Sequence, residues 1–476
     1  MAQQDAALVA GVDSSTQSTK VVVCDAETGE IVRSGRAPHP DGSSVHPDRW
    51  WEAYRQATAD GLLEGVAAIA VGGQQHGMCA LDARGTVVRD ALLWNDTRSA
   101  QAARDLTDEL GGPQEWVRRT GSALVPSFTV TKVRWLAEHE PDNADKVTDV
   151  VLPHDWLTAQ ILKQGNGFER YTTDRGDASG TGYYSTVDSR YLPDLQELAF
   201  GRVFGTPDVL EPHEVAGRTD TGMVVGPGTG DNAGAALGLG LRRGDVVVSL
   251  GTSGAVFADH DRPIQDPRGL IASFASASGG HLPLMATLNA ARVLTAAAQL
   301  LGTDLAGLDR LALAAEPGAG GLTLLPYLDG ERSPNLPDAT GTLGGLTRTN
   351  ATPENLARAA VEGMLANLVA GVADVRRLGL PVERVVLIGG AAASAAVRAV
   401  APGLFAVPVA IPAPGEYVGL GAARQAAWVL SGGEQPPSWP VRIEATLEPP
   451  SGDDSGSRVL HRYAHLLSAV HGRVGS

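Results

Sequence analysis

An acid at the end of an apolar run, followed by hydroxyls, opens the chemistry of this chain: Gly11-Val12-Asp13-Ser14-Ser15-Thr16-Gln17-Ser18-Thr19-Lys20. Asp13 suits a Mg²⁺ ion held directly or through water. Backbone N–H groups and the hydroxyls of Ser14, Ser15 and Thr16 suit phosphate oxygens. Ser249-Leu250-Gly251-Thr252-Ser253-Gly254 repeats the small hydroxyl turn without the acid. Leu387-Ile388-Gly389-Gly390-Ala391-Ala392 ends an apolar run on bare backbone, against which a flat base such as adenine can lie. Each segment also reads as an ordinary turn, since Gly-rich strand ends commonly serve turns and close packing. No GxxxxGK[ST] loop occurs, so a nucleotide site here is of another type.

Two further segments carry polar chemistry. Gln74-Gln75-His76-Gly77 and Leu93-Trp94-Asn95-Asp96-Thr97-Arg98 cluster directional hydrogen-bonding groups around an apolar indole, which suits a ligand with many hydroxyls. A lone His is more often a satisfied structural group, but the polar density around His76 favours a site. In Gly228-Thr229-Gly230-Asp231-Asn232-Ala233-Gly234 an acid flanked by Gly begins an Ala/Gly-rich helix. Asp231 there either faces a cleft or caps the helix Ala233 to Leu239.

The elements that must position these groups follow from periodicity. Ala7 to Val12, Lys20 to Cys24 and Ile31 to Arg33 read as strands joined by turns, the second turn at Gly29. Trp50, Trp51, Tyr54 and Ala57 recur at helical spacing, so Pro47 to Gly61 reads as a helix, with Asp48 as its cap. Val66 to Val71 reads as a strand that delivers Gly72 to Gly77. In the second half, Asp245 to Leu250 and Ala255 to Ala258 again frame a hydroxyl turn. Strands alternating with helices indicate an α/β fold. The repeated strand–turn–strand reads as a weak internal duplication, although such units are common. The Gly-rich stretch Gly217 to Gly244 is the expected boundary, giving domains 1–240 and 241–476. A final helix, Arg458 to Val470, follows a polar loop at Ser451 to Ser457 and is free to pack back on the first domain.

Composition narrows the class. The chain has 476 residues, 43% hydrophobic and 19% charged, which suits a folded globular protein. Its net charge of −16 disfavours nucleic acid and anionic membranes as partners. The two cysteines, Cys24 and Cys79, form no CxxC or Cys/His cluster, which excludes a disulfide scaffold and a structural zinc site. Met1 to Ala10 lacks the basic region of a secretory signal, and no run of about 18 uninterrupted apolar residues occurs. The expectation is a cytoplasmic protein.

In order along the chain, these segments and Leu325-Pro326-Tyr327-Leu328-Asp329-Gly330-Glu331-Arg332-Ser333-Pro334 resemble the FGGY family of carbohydrate kinases, most closely its xylulose-phosphorylating branch. The resemblance runs from Val9 to about Val429. It implies two actin-like ATPase (ribonuclease-H-like) domains with a cleft between them. It implies ATP-dependent phosphorylation of D-xylulose to D-xylulose 5-phosphate in xylose catabolism, with Mg²⁺. It places Asp231 on the catalytic base and Asp13 on the acid near metal and phosphate. Gln75 and His76 fall on the pair that contacts the sugar, with Trp94, Asn95, Asp96, Asp231 and Asn232 completing the pocket. ATP falls to Ser14, Ser15, Thr16, Gly251, Thr252, Ser253, Gly389, Gly390 and Ala391. Gln75 stands where Met is frequent, and Glu416-Tyr417 replace a smaller acidic, glycine-containing stretch in Gly415 to Ala422, on the adenosine side. The alternatives are a family member acting on ribulose, gluconate or glycerol, and a catalytically silent sugar-binding protein on the same scaffold. The partners implied are sugar and ATP; a homodimer is left open.

Overall fold

Alternation along the first strand dictates the layers around it. In Leu8–Ser14, Val9 points to one face of the sheet and Ala10 and Val12 to the other, and each lands in a different apolar cluster. The computed structural model describes residues 7–472. Most of the N-terminal segment Met1 to Ala10 therefore lies outside the described residues.

The first unit comprises residues up to Leu241, together with Asp259–Leu282 and Gly415–Pro440. Its sheet runs in the order Gly217–Arg218, Val224–Val225, Val66–Gly73, Leu8–Ser14, Ser18–Asp25, Ile31–Pro38, with Thr229–Gly230 also paired to Val66–Gly73. Leu8–Ser14 pairs antiparallel with Ser18–Asp25 and parallel with Val66–Gly73. One face is covered by the helices Asp48–Ala57 and Pro153–Leu162, through Trp50, Tyr54, Trp156 and Leu157. The other is covered by Tyr417–Ser431, through Ala422, Ala423 and Ala426. The helix Asp48–Ala57 starts at Asp48 itself, behind Pro47, and no side chain caps it. Asp48 is thus an acid of the first turn, not the expected cap.

Tyr417–Ser431 reaches this sheet because it is made of small residues. A Cβ on Gly421 would stand 1.8 Å from the Gly234 carbonyl oxygen, backbone that cannot step aside. Gly421→Ala is therefore expected to push this helix off Asp231–Leu239 and to cost about 1–3 kcal/mol. Thermal denaturation checks this, and an unchanged midpoint would remove the close contact from the account.

The second unit comprises Arg242–Ala258, Pro283–Pro414 and Val441–Ser476. In its sheet, Asp245–Leu250 pairs antiparallel with Gly254–Ala258 and parallel with Arg384–Ile388, the same pattern as in the first sheet. Val409–Pro412 and Ile443–Leu447 extend it. Pro353–Arg377 is long and apolar enough to cross a membrane by length and composition, yet it is mostly buried in this unit. Thr352 caps it by accepting the Asn355 N–H, and Pro353 opens it. The final helix, Ser455–His471, belongs to this unit and packs on Ala395–Phe405 and Thr323–Leu325.

Candidate active site

Three parallel strand ends of the first unit bring the expected residues together. Register pairs Asp13 with Gly72 and Ser14 with Gly73, and sets Thr229 beside Gly72 and Gly230 beside Gly73. Asp13, the Gln74–Gly77 segment and Asp231 thus leave one edge of one sheet. The Gln74 N–H donates to the Ser14 carbonyl at 3.2 Å and locks the first two of these together.

Asp13 is buried, and its Oδ1 has no hydrogen-bond partner. Burial pushes its carboxyl up to about 6, against the pull of Lys20, whose Nζ lies 3.7 Å away. Lys20 also donates to Glu416 at 2.7 Å. The Ser15 N–H and hydroxyl both donate to the Ser18 carbonyl, at 3.1 and 3.3 Å, which closes the hydroxyl turn. The Thr16 hydroxyl accepts from the Trp94 indole at 2.9 Å, so the Trp94 segment and the hydroxyl turn adjoin.

Asp231 is the first residue of the helix Asp231–Leu239, and Gly230 is its N-cap, so the capping alternative does not describe it. Its Oδ1 accepts from the Asn232 N–H at 2.7 Å and the Asn232 amide at 2.8 Å. Burial, with Asp13 and Asp177 adding negative charge, pushes this carboxyl up to about 7. Gln75 lies against Gly230 and donates to the Gly176 carbonyl at 3.3 Å. His76 holds φ at +69°, a conformation that costs a non-Gly residue energy and is retained where surroundings enforce it. Its ring sits 4.9 Å from Phe128 and 5.7 Å from Phe274, and its Nδ1 donates to the Gly180 carbonyl at 2.7 Å.

The Trp94 segment divides. Trp94 and Asn95 are exposed, whereas Asp96 is buried and already engaged by Arg98 at 2.8 Å and Ser43 at 2.8 Å. Both carboxylate oxygens of Asp96 are thus already engaged within the first unit.

The remaining expected residues lie in the second unit. Ser249 pairs with Ile388, which sets the Gly251–Ser253 turn beside Gly389, Gly390 and Ala391. The Gly251 carbonyl accepts from the Ala291 N–H at 2.9 Å, and the Thr252 carbonyl from Ala290 at 3.3 Å. Behind them lies the Leu325–Pro334 motif. Its buried Glu331 accepts from the Leu288 N–H at 2.6 Å and from the Asn289 and Asn367 amides at 3.0 and 3.2 Å. The motif thus braces the segment that holds the turn.

Sequence reasoning missed a buried ionic cluster in the first unit. His154 is fully buried, with Nδ1 2.5 Å from Asp177 and Nε2 3.3 Å from Asp155. Burial pulls the imidazolium down, but Asp155, Asp177 and Asp174 outweigh it and raise it to about 10. The available signal was His154-Asp155 standing inside the mostly apolar run Val150 to Leu162. Glu416 was noted only for the adenosine side, and its pairing with Lys20 was missed because the two are 396 residues apart.

Comparisons with known proteins identify the family of the chain. A family model described as the N-terminal domain of the FGGY family of carbohydrate kinases matches residues 8–238, and its C-terminal counterpart matches 246–430. A xylulose kinase of Streptomyces coelicolor is 46% identical, over 91% of this chain and 90% of that protein. One of Streptomyces rubiginosus is 44% identical, over 98% and 97%. The crystal structure of xylulose kinase from Bifidobacterium adolescentis superposes with a TM-score of 0.89 at 44% identity, covering 97% of this chain and 99% of that one. The architecture is the actin-like ATPase fold of FGGY sugar kinases. With both family domains matched in order and relatives this similar over nearly its whole length, the chain belongs to the FGGY family of carbohydrate kinases.

Proposed function

We propose that this enzyme transfers the γ-phosphoryl group of ATP to D-xylulose and forms D-xylulose 5-phosphate, a step of xylose breakdown. The likeness to xylulose kinases at 44–46% identity supports the substrate. One geometric observation carries the chemistry: a carboxyl poised near neutrality, Asp231, shares a sheet edge with Asp13 and with Gln75–His76.

In this reading Asp231 accepts the proton of the sugar O5 hydroxyl as that oxygen attacks. The O–H bond breaks, a bond from O5 to phosphorus forms, and the bond from phosphorus to the bridging oxygen breaks, leaving ADP with the electron pair. The transition state is loose, so positioning and charge stabilisation carry most of the catalysis. The unpartnered, buried Oδ1 of Asp13 fits a Mg²⁺ ion, which when bound neutralises charge on the phosphate oxygens. Ser14, Ser15, Thr16 and the Gly251–Ser253 turn take phosphate oxygens, and Gly389, Gly390 and Ala391 take the adenosine. Gln75, His76, Trp94, Asn95 and Asn232 take sugar hydroxyls, and Asp96 holds the frame behind them.

The reading includes a cytoplasmic location and excludes nucleic acid and membrane as partners, in keeping with the net charge of −16. It allows a homodimer, which light scattering reads directly. The experiment that tests the activity is ³¹P NMR of the product from ATP, Mg²⁺ and D-xylulose. A phosphate monoester on C5 is expected, and its absence overturns the reading.

His76 gives a second test. Leaving a buried partner unpaired costs about 1–3 kcal/mol, a factor of about 5–150. His76→Ala should lower kcat/KM for D-xylulose by that factor while the KM for ATP barely moves. Equal effects on both substrates would make His76 a purely structural residue.

A further inference from the structure

The buried His154 links the elements that carry Gln75 and Asp231. Its Nδ1 donates to Asp177 at 2.5 Å, and its Nε2 donates to the Pro227 carbonyl at 3.3 Å. With Asp177 ionised, donation from both ring nitrogens uses the imidazolium, the form that the surrounding Asp155, Asp177 and Asp174 favour. Gln75 donates its side-chain amide to the Gly176 carbonyl, next to Asp177, at 3.3 Å. Gly228, next to Pro227, holds φ at +87°, and a Cβ there would stand 2.3 Å from His154 Cδ2, so the ring fills the room that glycine leaves. Gln425 grips Gly228 with two hydrogen bonds, at 3.1 Å to its N–H and 2.9 Å to its carbonyl. Pro227–Gly228 is thus clamped by His154 and Gln425, three residues before Asp231.

We propose that His154 is a positioning residue for phosphoryl transfer: through Asp177 and the Pro227 carbonyl it fixes the segment that carries Asp231 against Gln75. The proposal rests on the reading of Asp231 as the base. His154 touches neither substrate and acts on the rate through where Asp231 stands. A displacement of about 1 Å at a reacting group can cost about 10²-fold in rate.

The test uses the full-length enzyme and a double-mutant cycle. In His154→Asn the side-chain amide superposes on Nδ1, which keeps the bond to Asp177 and gives up Pro227. In His154→Gln the amide reaches the position of Nε2 and keeps the Pro227 bond. Expected is a fall in kcat of about 10–10²-fold for His154→Asn, with the KM for ATP unchanged and partial recovery in His154→Gln. Expected also is no further fall when His154→Asn is added to Asp231→Ala, since residues that act as a unit are not additive. A structural role would make the two losses multiply, which overturns the proposal, as does a wild-type kcat in folded His154→Asn. Should the His154 variants not fold, near-isosteric Asp177→Asn reads the same clamp. A lowered kcat at constant KM for ATP supports the proposal there, and an unchanged kcat overturns it. Asp231→Ala alone separates the two readings. If it keeps wild-type kcat, the base assignment fails; if it is impaired while folded His154→Asn is not, only the clamp fails.

Discussion

Asp231→Ala should lower kcat for D-xylulose by about 10²–10⁴-fold and leave the KM for ATP nearly unchanged. The size follows from removing the group that takes the O5 proton, while the ATP contacts assigned to the Gly251 and Gly389 turns stay in place. The pH dependence of the wild type gives the same assignment a second reading. Burial, Asp13 and Asp177 raise this carboxyl to about 7, and a base must be ionised to act. Activity should therefore rise with pH, roughly tenfold per unit on the acid side, and level off above about 7. A variant with near wild-type kcat, or a profile already flat at pH 5, would remove Asp231 from the role.

The second large effect concerns Asp13. Asp13→Asn keeps the shape and removes the charge that would hold Mg²⁺. Electrostatic groups aimed at a transferring phosphoryl are worth about 10²–10³-fold each. The variant should lose that much in kcat, need more Mg²⁺ for half-maximal activity, and bind D-xylulose as before. Lys20 keeps its partner Glu416 at 2.7 Å, so the local fold has a reason to survive. Identical Mg²⁺ activation curves for variant and wild type would show that Asp13 does another job.

Local pattern made much of this legible. The strands around Asp13 and Gly251 are short apolar runs closed by small residues, and their pairing repeats in both units. What stayed hidden depends on segments far apart in the chain. Nothing near Gly419 or Gly421 says that their helix lies against Gly11 and Gly234 in the first unit, where a single cut at 240 would not put it. Asp96 looks like a ligand group in sequence, and only folding brings Ser43 across to engage it. His154 lies in an apolar run, and its meaning waits for Asp174 and Asp177, about twenty residues on, to fold onto it. The pairing of Glu416 with Lys20 is legible only in the fold.

The substrate remains the centre of the account, and ADP release measured side by side with D-xylulose and D-ribulose tests it most directly. The two sugars differ at one stereocentre, so the discrimination should be of the size of one mispaired buried polar group, about 5–150-fold in kcat/KM. D-xylulose should give the higher value, with little ADP released in the absence of sugar. A higher kcat/KM for D-ribulose, or ADP release indifferent to added sugar, would contradict it.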